Sequence, residues 1–192
     1  IPGMQCVLCL FEGVVSGAAD GYARMTGGPA ATLLHLGPGL GNALANMHNA
    51  KKARSAIVNV VGEHARHHVK YESPLKSDIP GIAGPISHWV RTTADAASVG
   101  ADGAAAIVAA RTPPGQIATL ILPADTAWGN GGVVGGVSTI NESELVADDK
   151  IEQAISALRD DGPTLLLLGS ETLFEEPLLV VQATQVEHES VI

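Results

Sequence analysis

The chain has 192 residues and a formal net charge of −9; 46% of its residues are apolar and only 16% are charged. This balance excludes a disordered chain. Scattered Lys and Arg argue against a nucleic-acid partner, and no apolar run approaches the ~20 residues that span a bilayer.

The first predicted element is a short strand, Val7–Leu10, near the start of the chain. Cys6 and Cys9 lie three residues apart on or beside it, so they would face opposite sides as core residues and not form a redox pair. Two cysteines make no disulfide framework, which favours a reducing compartment and a cytoplasmic protein.

Glu12 follows this strand directly and opens the first predicted helix. Its neighbours in sequence include Leu10, Phe11, Val14 and Val15. Apolar surroundings remove hydration from a carboxyl group and favour its protonated form near neutral pH. The alternative is an exposed acid that the helix dipole stabilises in a first turn, without any chemistry. The local sequence leaves both interpretations open.

The segment "HLGPGLGN", residues 35–42, follows the predicted strand Ala31–His35 and opens a second helix. Its backbone amides and the positive helix end are suited to hold an anion or a polar ring. Two rivals are a plain tight turn and the dinucleotide fingerprint G-x-G-x-x-G, whose glycine spacing this segment misses.

The two helices are predicted from apolar residues that recur at three- and four-residue steps. The first stripe consists of Val15, Ala18, Tyr22 and Met25, and the second of Leu40, Leu44 and Met47. The cations Lys51, Lys52 and Arg54 follow the second stripe, at the helix end where the dipole favours positive charge.

Glu63 and a group of basic residues follow the next predicted strand, Ala56–Val61. Glu63 lies about where a nucleotide fold carries its ribose-binding acid. The basic residues close enough in sequence to pair with it are His64, Arg66, His67 and His68. Two of these histidines are four residues apart, as in a helical metal site, but we favour a solvated basic loop and predict no metal ligands.

The remaining elements continue an alternation of strands and helices. A weaker strand, Ser87–Arg91, precedes an Ala-rich helix, Ala94–Ala110, which ends before Pro113-Pro114 because proline cannot continue a helix. The strand Ile117–Leu122 follows. The alternation predicts parallel βαβ units in a doubly wound α/β sheet.

The composition changes after Pro123. A glycine-rich and then acidic stretch predicts a linker at residues 129–148. A helix at Ile151–Arg159 and a strand in "PTLLLLGSE" predict the start of a second α/β domain. We therefore divide the chain into a first domain at 1–128, this linker, and an incomplete domain at 149–192.

These motifs combine into a resemblance. "FEGVVSGAADGYARMTGGPAATLLHLGPGLGNALANMHNA", followed by a strand ending in "VVGEH", resembles the pyrimidine-binding domain of thiamine-diphosphate enzymes, in particular acetolactate-synthase large subunits and benzoylformate-decarboxylase-like enzymes. It covers about Met4–Trp128, and "AISALRDDGPTLLLLGSE" looks like the start of the family's central domain. The resemblance implies that the family's opening strand and helix, and its diphosphate-binding domain, are not in this sequence.

The resemblance implies roles for two side chains. The family's glutamate at the Glu12 position hydrogen-bonds ring nitrogen N1′ of the cofactor's aminopyrimidine, which lets N4′ remove the thiazolium C2 proton. His35 stands seven residues before Asn42, where the decarboxylase branch carries a histidine that exchanges protons with the substrate-derived group. Synthases usually have no histidine there.

Ligands and partners follow from the same resemblance. Residues expected around thiamine diphosphate are Glu12, Gly37, Pro38, Gly39 and Asn42, and those expected in a 2-oxo acid pocket are Glu63 and His64. Mg²⁺ ligands would lie in the diphosphate domain, and the sequence leaves open whether the central domain binds FAD, as in true synthases, or keeps an empty relic of that site. The active site would form between subunits of a homodimer or homotetramer that decarboxylates a 2-oxo acid, with or without carboligation, and this chain alone would be inactive.

Two other function classes remain open on the sequence. A non-catalytic binding or assembly module of the same fold would use an apolar face and bind no thiamine diphosphate. A dinucleotide-binding oxidoreductase would bind NAD at the glycine-rich segment.

Overall fold

A four-stranded parallel sheet forms the centre of the first part of the molecule. Its strands are β1 (Ala30–His35), β2 (Ile57–Glu63), β3 (Trp89–Thr92) and β4 (Ile117–Pro123). They lie in the order β1-β2-β4-β3. The register pairs His35 with Gly62 and Glu63 with Pro123, so the carboxyl ends of three strands meet at one edge.

The computed structural model describes residues 3–136, 138–140, 145–160, 162–163 and 165–187. The helices within these ranges are α1 (Glu12–Thr26), α2 (Leu36–Lys52), α3 (Ile79–Ala83), α4 (Val99–Arg111), α5 (Ala124–Trp128), α6 (Asp148–Leu158) and α7 (Glu175–Glu187), with a 3-10 helix at Ser170–Leu173. The chain divides into two units, residues 1–142 and 143–192. No helix among the described residues is long and apolar enough to cross a membrane.

Helices cover both faces of the central strands. On one face, α1 and α2 pack against a core that includes Leu34, Ile57 and Val61. On the other face, α4 packs against Val58 and Leu120. Neighbouring residues of β2 therefore point into different cores, as the alternation of a strand requires. The doubly wound α/β fold is confirmed.

The buried face of α1 differs from the predicted stripe. Ser16, Ala19 and Ala23 are buried, whereas Tyr22 and Met25 are 60% and 86% exposed. The observed stripe has the same three- and four-residue spacing but consists of small residues, which let α1 lie close to α2. In the predicted stripe of α2, Leu40 and Met47 are buried, and Leu44 is half-buried and packs against the same core.

The first predicted strand is wrong. Residues 4–9 form no regular structure, and Leu8 and Leu10 are 91% and 99% exposed. Cys6 is exposed and Cys9 is half-exposed, so neither is a core residue. A strand needs a neighbour for its backbone hydrogen bonds, and the described sheet offers none here. Residues 165–169, part of the second unit's predicted strand, likewise form no regular structure.

The Ala-rich helix, α4, starts five residues later than predicted. Asp95 Oδ1 accepts hydrogen bonds from the backbone N–H and the hydroxyl of Ser98, both at 2.8 Å, which closes a turn before the helix. These bonds lower the pKa of the Asp95 carboxyl, the side-chain bond being the larger cause. α4 ends at Arg111, before the two prolines, as predicted.

A row of buried polar side chains crosses the sheet. Thr32 Oγ1 donates to Asn59 Oδ1 at 2.7 Å, and Asn59 Nδ2 donates to Thr119 Oγ1 at 3.3 Å. Thr119 and Ser87 share a further hydrogen bond of 2.7 Å. Each partner sits on a neighbouring segment, so the row satisfies buried polar groups only in the observed register.

Candidate functional site

Glu12 lies at the first residue of α1, half-buried, and its carboxylate meets the start of α2. Asn42 Nδ2 donates to Glu12 Oε2 at 3.1 Å, across 30 residues of sequence. A Cβ at Gly39 would lie 3.4 Å from Glu12 Oε1, so the glycine keeps that side of the carboxylate open. The structure thus brings together three of the predicted site residues.

A second contact holds the turn that carries Glu12. Asn46 Nδ2 donates to the carbonyl oxygen of Gly13 at 2.6 Å, and Ser16 Oγ donates to the carbonyl oxygen of Glu12 at 2.9 Å. Asn42 and Asn46 are one helical turn apart on α2, so both amides face α1. Sequence reasoning missed Asn46, although the four-residue spacing of the two amides was a signal for it.

The glycine-rich segment forms the first turn of α2 and not a separate turn. Leu36 opens the helix in the left-handed region, with φ of 56°, and its side chain is buried. Pro38 is the third residue of the helix, where a backbone N–H has no intrahelical partner and proline is tolerated. Gly37 is buried against Ser77, whose side chain a Cβ at Gly37 would strike.

His35 is the last residue of β1 and the residue before α2, and its side chain is exposed. Its register partner is Gly62, and the next residue along β2 is Glu63. The ends of these parallel strands therefore place His35 and Glu63 at the same edge of the sheet, the carboxyl edge.

Glu63 pairs differently from the prediction. Its Oε1 accepts a hydrogen bond from the backbone N–H of His64 at 2.6 Å, and no basic side chain reaches it among the described residues. His64 Nε2 lies 3.0 Å from Ser73 Oγ, so the histidine ring is directed to a neighbouring loop. Glu63 and His64 are both half-buried at the carboxyl edge.

Arg66 forms a clamp that the sequence analysis missed. Its backbone N–H and its Nε bind the Asp125 carboxylate at 2.9 and 2.7 Å, and its Nη1 binds the carbonyl oxygen of Ala94. These bonds, the backbone one first, lower the pKa of Asp125. The clamp ties together the segments that follow β2, β3 and β4. In the sequence, the clamp is indicated only by the positions of its two charges, since Arg66 follows the end of β2 and Asp125 follows the end of β4.

The histidine cluster does not form the helical arrangement of a metal site. Residues 66–70 are turns, and the rings of His64 and His68 lie 5.6 Å apart at a tilt. Within the ranges that the structure describes, no group of three or more His, Cys, Asp or Glu side chains could hold a metal ion.

The apolar residues around Glu12 do not enclose it. Leu10 is 99% exposed, Phe11 52% and Val14 56%. Of the two interpretations left open by the sequence, desolvation of this carboxyl by Leu10, Phe11 and Val14 is not supported, because these side chains are exposed. An apolar cover over Glu12 requires groups beyond those that the structure describes.

The Glu12 carboxylate can bind one further polar group. Its Oε2 is fixed by Asn42, and within the described residues its Oε1 has no hydrogen-bond donor. Gly39, which carries no side chain, leaves this oxygen uncovered on its side. A ring nitrogen that shares a proton with a carboxyl oxygen would satisfy Oε1.

Comparisons with known proteins identify the same region. The family model described as "Thiamine pyrophosphate enzyme, N-terminal TPP binding domain" matches residues 2–98. IlvX of Mycobacterium tuberculosis, a protein named after the acetolactate synthase large subunit, is 52% identical over 171 residues, which cover 89% of this chain and 33% of that protein. Benzoylformate decarboxylase of Pseudomonas aeruginosa is 33% identical over 120 residues, covering 62% of this chain and 23% of that protein.

A solved structure agrees with the fold. The thiamine diphosphate-dependent 4-hydroxybenzoylformate decarboxylase of Rhodococcus jostii RHA1 superposes with a TM-score of 0.69 at 25% identity, covering 79% of this chain and 30% of that one. The chain thus spans about a third, or less, of the length of each of these relatives.

Proposed function

Because the chain belongs to the thiamine-pyrophosphate enzyme family through its N-terminal TPP-binding domain, we propose that it supplies the pyrimidine-binding half of an active site that decarboxylates a 2-oxo acid, with or without carboligation. The observation that carries the proposal is the free Oε1 of Glu12, anchored through Oε2 by Asn42 and left open by Gly39.

The residues present fit the aminopyrimidine end of thiamine diphosphate. The missing Cβ of Gly39 leaves a space beside Glu12 Oε1 that a ring edge would fill. When bound, thiamine diphosphate supplies a nucleophilic thiazolium carbon and an electron sink for the loss of CO2. Glu12 would hold a proton between Oε1 and ring nitrogen N1′, and Asn42 would keep the carboxyl group in that orientation. The first turn of α2, with Gly37 and Pro38, would support the ring.

His35 would move protons on the substrate side of the site. It is exposed at the carboxyl edge, where its ring is free to reach a bound 2-oxo acid, and imidazole is a common proton-transfer group in enzymes. Glu63 and His64 would line the pocket from the end of β2. A histidine at this position favours a decarboxylase over an acetolactate synthase.

The site needs a partner. The exposed apolar residues Leu10, Phe11 and Val14 beside Glu12 support a subunit interface, since clustered exposed apolar side chains mark interaction sites. We therefore propose a homodimer or homotetramer in which a partner's diphosphate-binding domain, with its Mg²⁺, completes the site. Light scattering would measure the assembly, and flavin absorbance of the purified protein would report FAD in the central domain.

The decisive test is Glu12→Gln in the complete gene product. Loss of the proton-holding oxygen should slow exchange of the C2 proton of bound thiamine diphosphate by about 100-fold or more, measured by proton NMR in D2O. Glu72→Gln is the matched control, because that carboxylate is exposed, pairs with Lys76 outside the proposed site and should leave exchange unchanged. Equal exchange rates in wild type and Glu12→Gln would remove Glu12 from this role.

Two titrations separate the alternatives. Calorimetry with thiamine diphosphate and Mg²⁺ should give binding, whereas a non-catalytic assembly module would give none. Calorimetry with NAD should give no heat, whereas a dinucleotide-binding oxidoreductase would bind it.

A further inference from the structure

A basic cleft lies at the opposite, amino edge of the sheet. It has a volume of about 650 Å³ and is lined by His48, Lys51, Lys52, Arg54, Pro85, His88, Pro114, Gly115 and Gln116. Three segments form it: the end of α2, the turn before β3 and the turn before β4. Among these residues there are three formal positive charges and no carboxylate.

The three cations are not explained by ion pairing. The chain carries 20 acidic and 11 basic residues, and the described ion pairs use other cations: Arg24, Arg66, Lys76, Arg91 and Lys150. Lys51, Lys52 and Arg54 therefore face the cleft together without a carboxylate partner in the described chain. Mutual repulsion of three such charges is unfavourable unless an anion joins them.

The helix dipole accounts for only part of this charge. The C-terminal end of a helix carries about half a negative charge, which one or two cations in the last turn neutralise. Lys51 and Lys52 occupy that last turn, and Arg54 lies beyond the end of α2. A net positive charge therefore remains in the cleft after the dipole is neutralised.

The backbone holds Arg54 in a conformation that glycine usually adopts. Its φ is 59°, in the left-handed region. The N–H groups of Arg54 and Ser55 donate back to the carbonyls of Lys51 and Ala50, at 3.2 and 3.0 Å, which is the Schellman end of a helix. Glycine would adopt this conformation with less strain. The presence of arginine here therefore points to a role for its side chain.

Other donors in the cleft are held in place. Lys51 Nζ donates to the carbonyl oxygen of Pro85 at 2.8 Å, which fixes the ammonium group with its other protons free. His88 Nδ1 accepts from the backbone N–H of Ile117 at 3.4 Å, so its neutral ring carries the proton on Nε2. Burial, and secondarily Lys51, lowers the pKa of His88, so it is a neutral donor near pH 7.

We propose that the basic cleft binds a polyphosphate group, carried by a nucleoside diphosphate or by an inorganic polyphosphate. A di- or triphosphate carries about as many negative charges as the cleft has cations. The volume lies within the ~300–1,000 Å³ of small-molecule sites, so it holds more than one phosphate. α2 has 17 residues and is roughly 25 Å long, so a ligand here would lie far from Glu12 and would not replace the cofactor.

The first experiment is calorimetry of the complete gene product with three probes at low ionic strength: tripolyphosphate, adenosine diphosphate and adenosine. Tripolyphosphate and adenosine diphosphate should both bind, and salt should weaken both. Equal affinities for the two probes would show that the cleft recognises the phosphates alone. A higher affinity for adenosine diphosphate would show that part of the cleft also contacts the nucleoside. Binding of adenosine as tight as that of adenosine diphosphate, or no binding of either phosphate, would overturn the proposal.

The second experiment changes the cations. The double variant K51Q/R54Q should weaken tripolyphosphate binding about tenfold or more, because two charge-assisted hydrogen bonds are lost. The double variant K70Q/K150Q makes the same change of net charge outside the cleft and should bind like wild type. Equal weakening in both double variants would show a nonspecific charge effect and reject the site.

Two further measurements keep the test independent of folding and of the proposed function. In wild type, tripolyphosphate should protect Lys51 and Lys52, but not Lys70, from amine acetylation followed by mass spectrometry; unprotected Lys51 and Lys52 would contradict the proposal. Glu12→Gln should lose cofactor chemistry and keep tripolyphosphate affinity. The polyphosphate proposal and the proposed cofactor function can therefore fail independently of each other.

Discussion

The two edges of the sheet differ in the charge that they present, although α2 contributes to both. At the carboxyl edge, the start of α2 lies beside the carboxylate of Glu12, and β2 ends at Glu63. At the amino edge, its last turn supplies Lys51 and Lys52 to a cleft without acids. The helix dipole would favour the same signs: anions at the first turn and cations at the last.

The comparison shows how one helix supports two kinds of site. At the carboxyl edge, the side-chain amide of Asn42 holds a single carboxylate and leaves one of its oxygens free. At the amino edge, backbone geometry at the helix end holds cations that find no carboxylate in the described chain. We propose that the first edge shares one proton with a cofactor ring and that the second attracts an anion.

Gly115→Ala should give the largest loss of stability and should act at the amino edge. Gly115 has φ of 112°, and a Cβ there would strike the carbonyl oxygen of Arg54. We expect the free energy of unfolding to fall by about 1–3 kcal/mol in urea denaturation, together with weaker tripolyphosphate binding. Gly103→Ala is the control, because a Cβ within α4 meets nothing within 4 Å and should stabilise by up to ~1 kcal/mol. Equal stabilities of the two variants would contradict the observed packing.

Gly39→Ala should act at the carboxyl edge alone. Its Cβ would lie 3.4 Å from Glu12 Oε1, where the cofactor ring is proposed to bind. We expect thiamine diphosphate affinity to fall about tenfold, or ~1.4 kcal/mol, with no loss of stability, since alanine favours the helix. Gly41→Ala, whose Cβ has open space, should bind as wild type does. Undiminished affinity in Gly39→Ala would mean that the ring does not approach Oε1 from that side.

The sequence predicted the sheet well and the contacts around Glu12 less well. Strands such as Ile57–Glu63 are mainly apolar, which is typical of a sheet buried on both faces, so their pattern indicates strands. The predicted stripe on α1 failed because Tyr22 and Met25 repeat at helical spacing as well as Ser16 and Ala23 do. Periodicity indicates a helix but does not say which stripe is buried.

The candidate site was predicted in its residues and not in its connections. Glu12 and Asn42 came from a motif, yet the role of Asn46 depends on where α2 lies beside α1, which no local pattern contains. The same limit applies to Arg66, which the sequence placed near Glu63 and the fold joined to Asp125. Contacts between distant segments require the sheet order, and the order β1-β2-β4-β3 is not written in any single segment.

Asn46→Ala should have a smaller effect at the carboxyl edge. It removes the 2.6 Å hydrogen bond to the carbonyl oxygen of Gly13 and loosens the turn that carries Glu12. We expect a loss of about 1 kcal/mol in unfolding free energy, with a several-fold slower C2 exchange of bound cofactor. Asn49→Ala, the same change at an exposed position of α2, should alter neither quantity. Unchanged exchange in Asn46→Ala would confine this amide to a packing role.

The Arg66–Asp125 clamp should give the smallest effect and the only one that depends on pH. Arg66 lowers the pKa of Asp125, through its backbone N–H first and its guanidinium second. Because the folded-state pKa lies below the unfolded one, the clamp stabilises the fold above the unfolded pKa, and this contribution is lost as the pH falls through the folded pKa.

Asp125→Asn should therefore lower the thermal unfolding midpoint slightly at neutral pH. The difference from wild type should shrink on acidification, because the wild-type carboxyl then becomes neutral as well. It should also shrink in high salt, because the pair is partly exposed. Differential scanning calorimetry at several pH values measures both trends. A difference that stays constant with pH would mean that the clamp acts through hydrogen-bond geometry and not through charge. The hydrogen bonds of Arg66, and not its ion pair, would then hold the loops at the carboxyl edge.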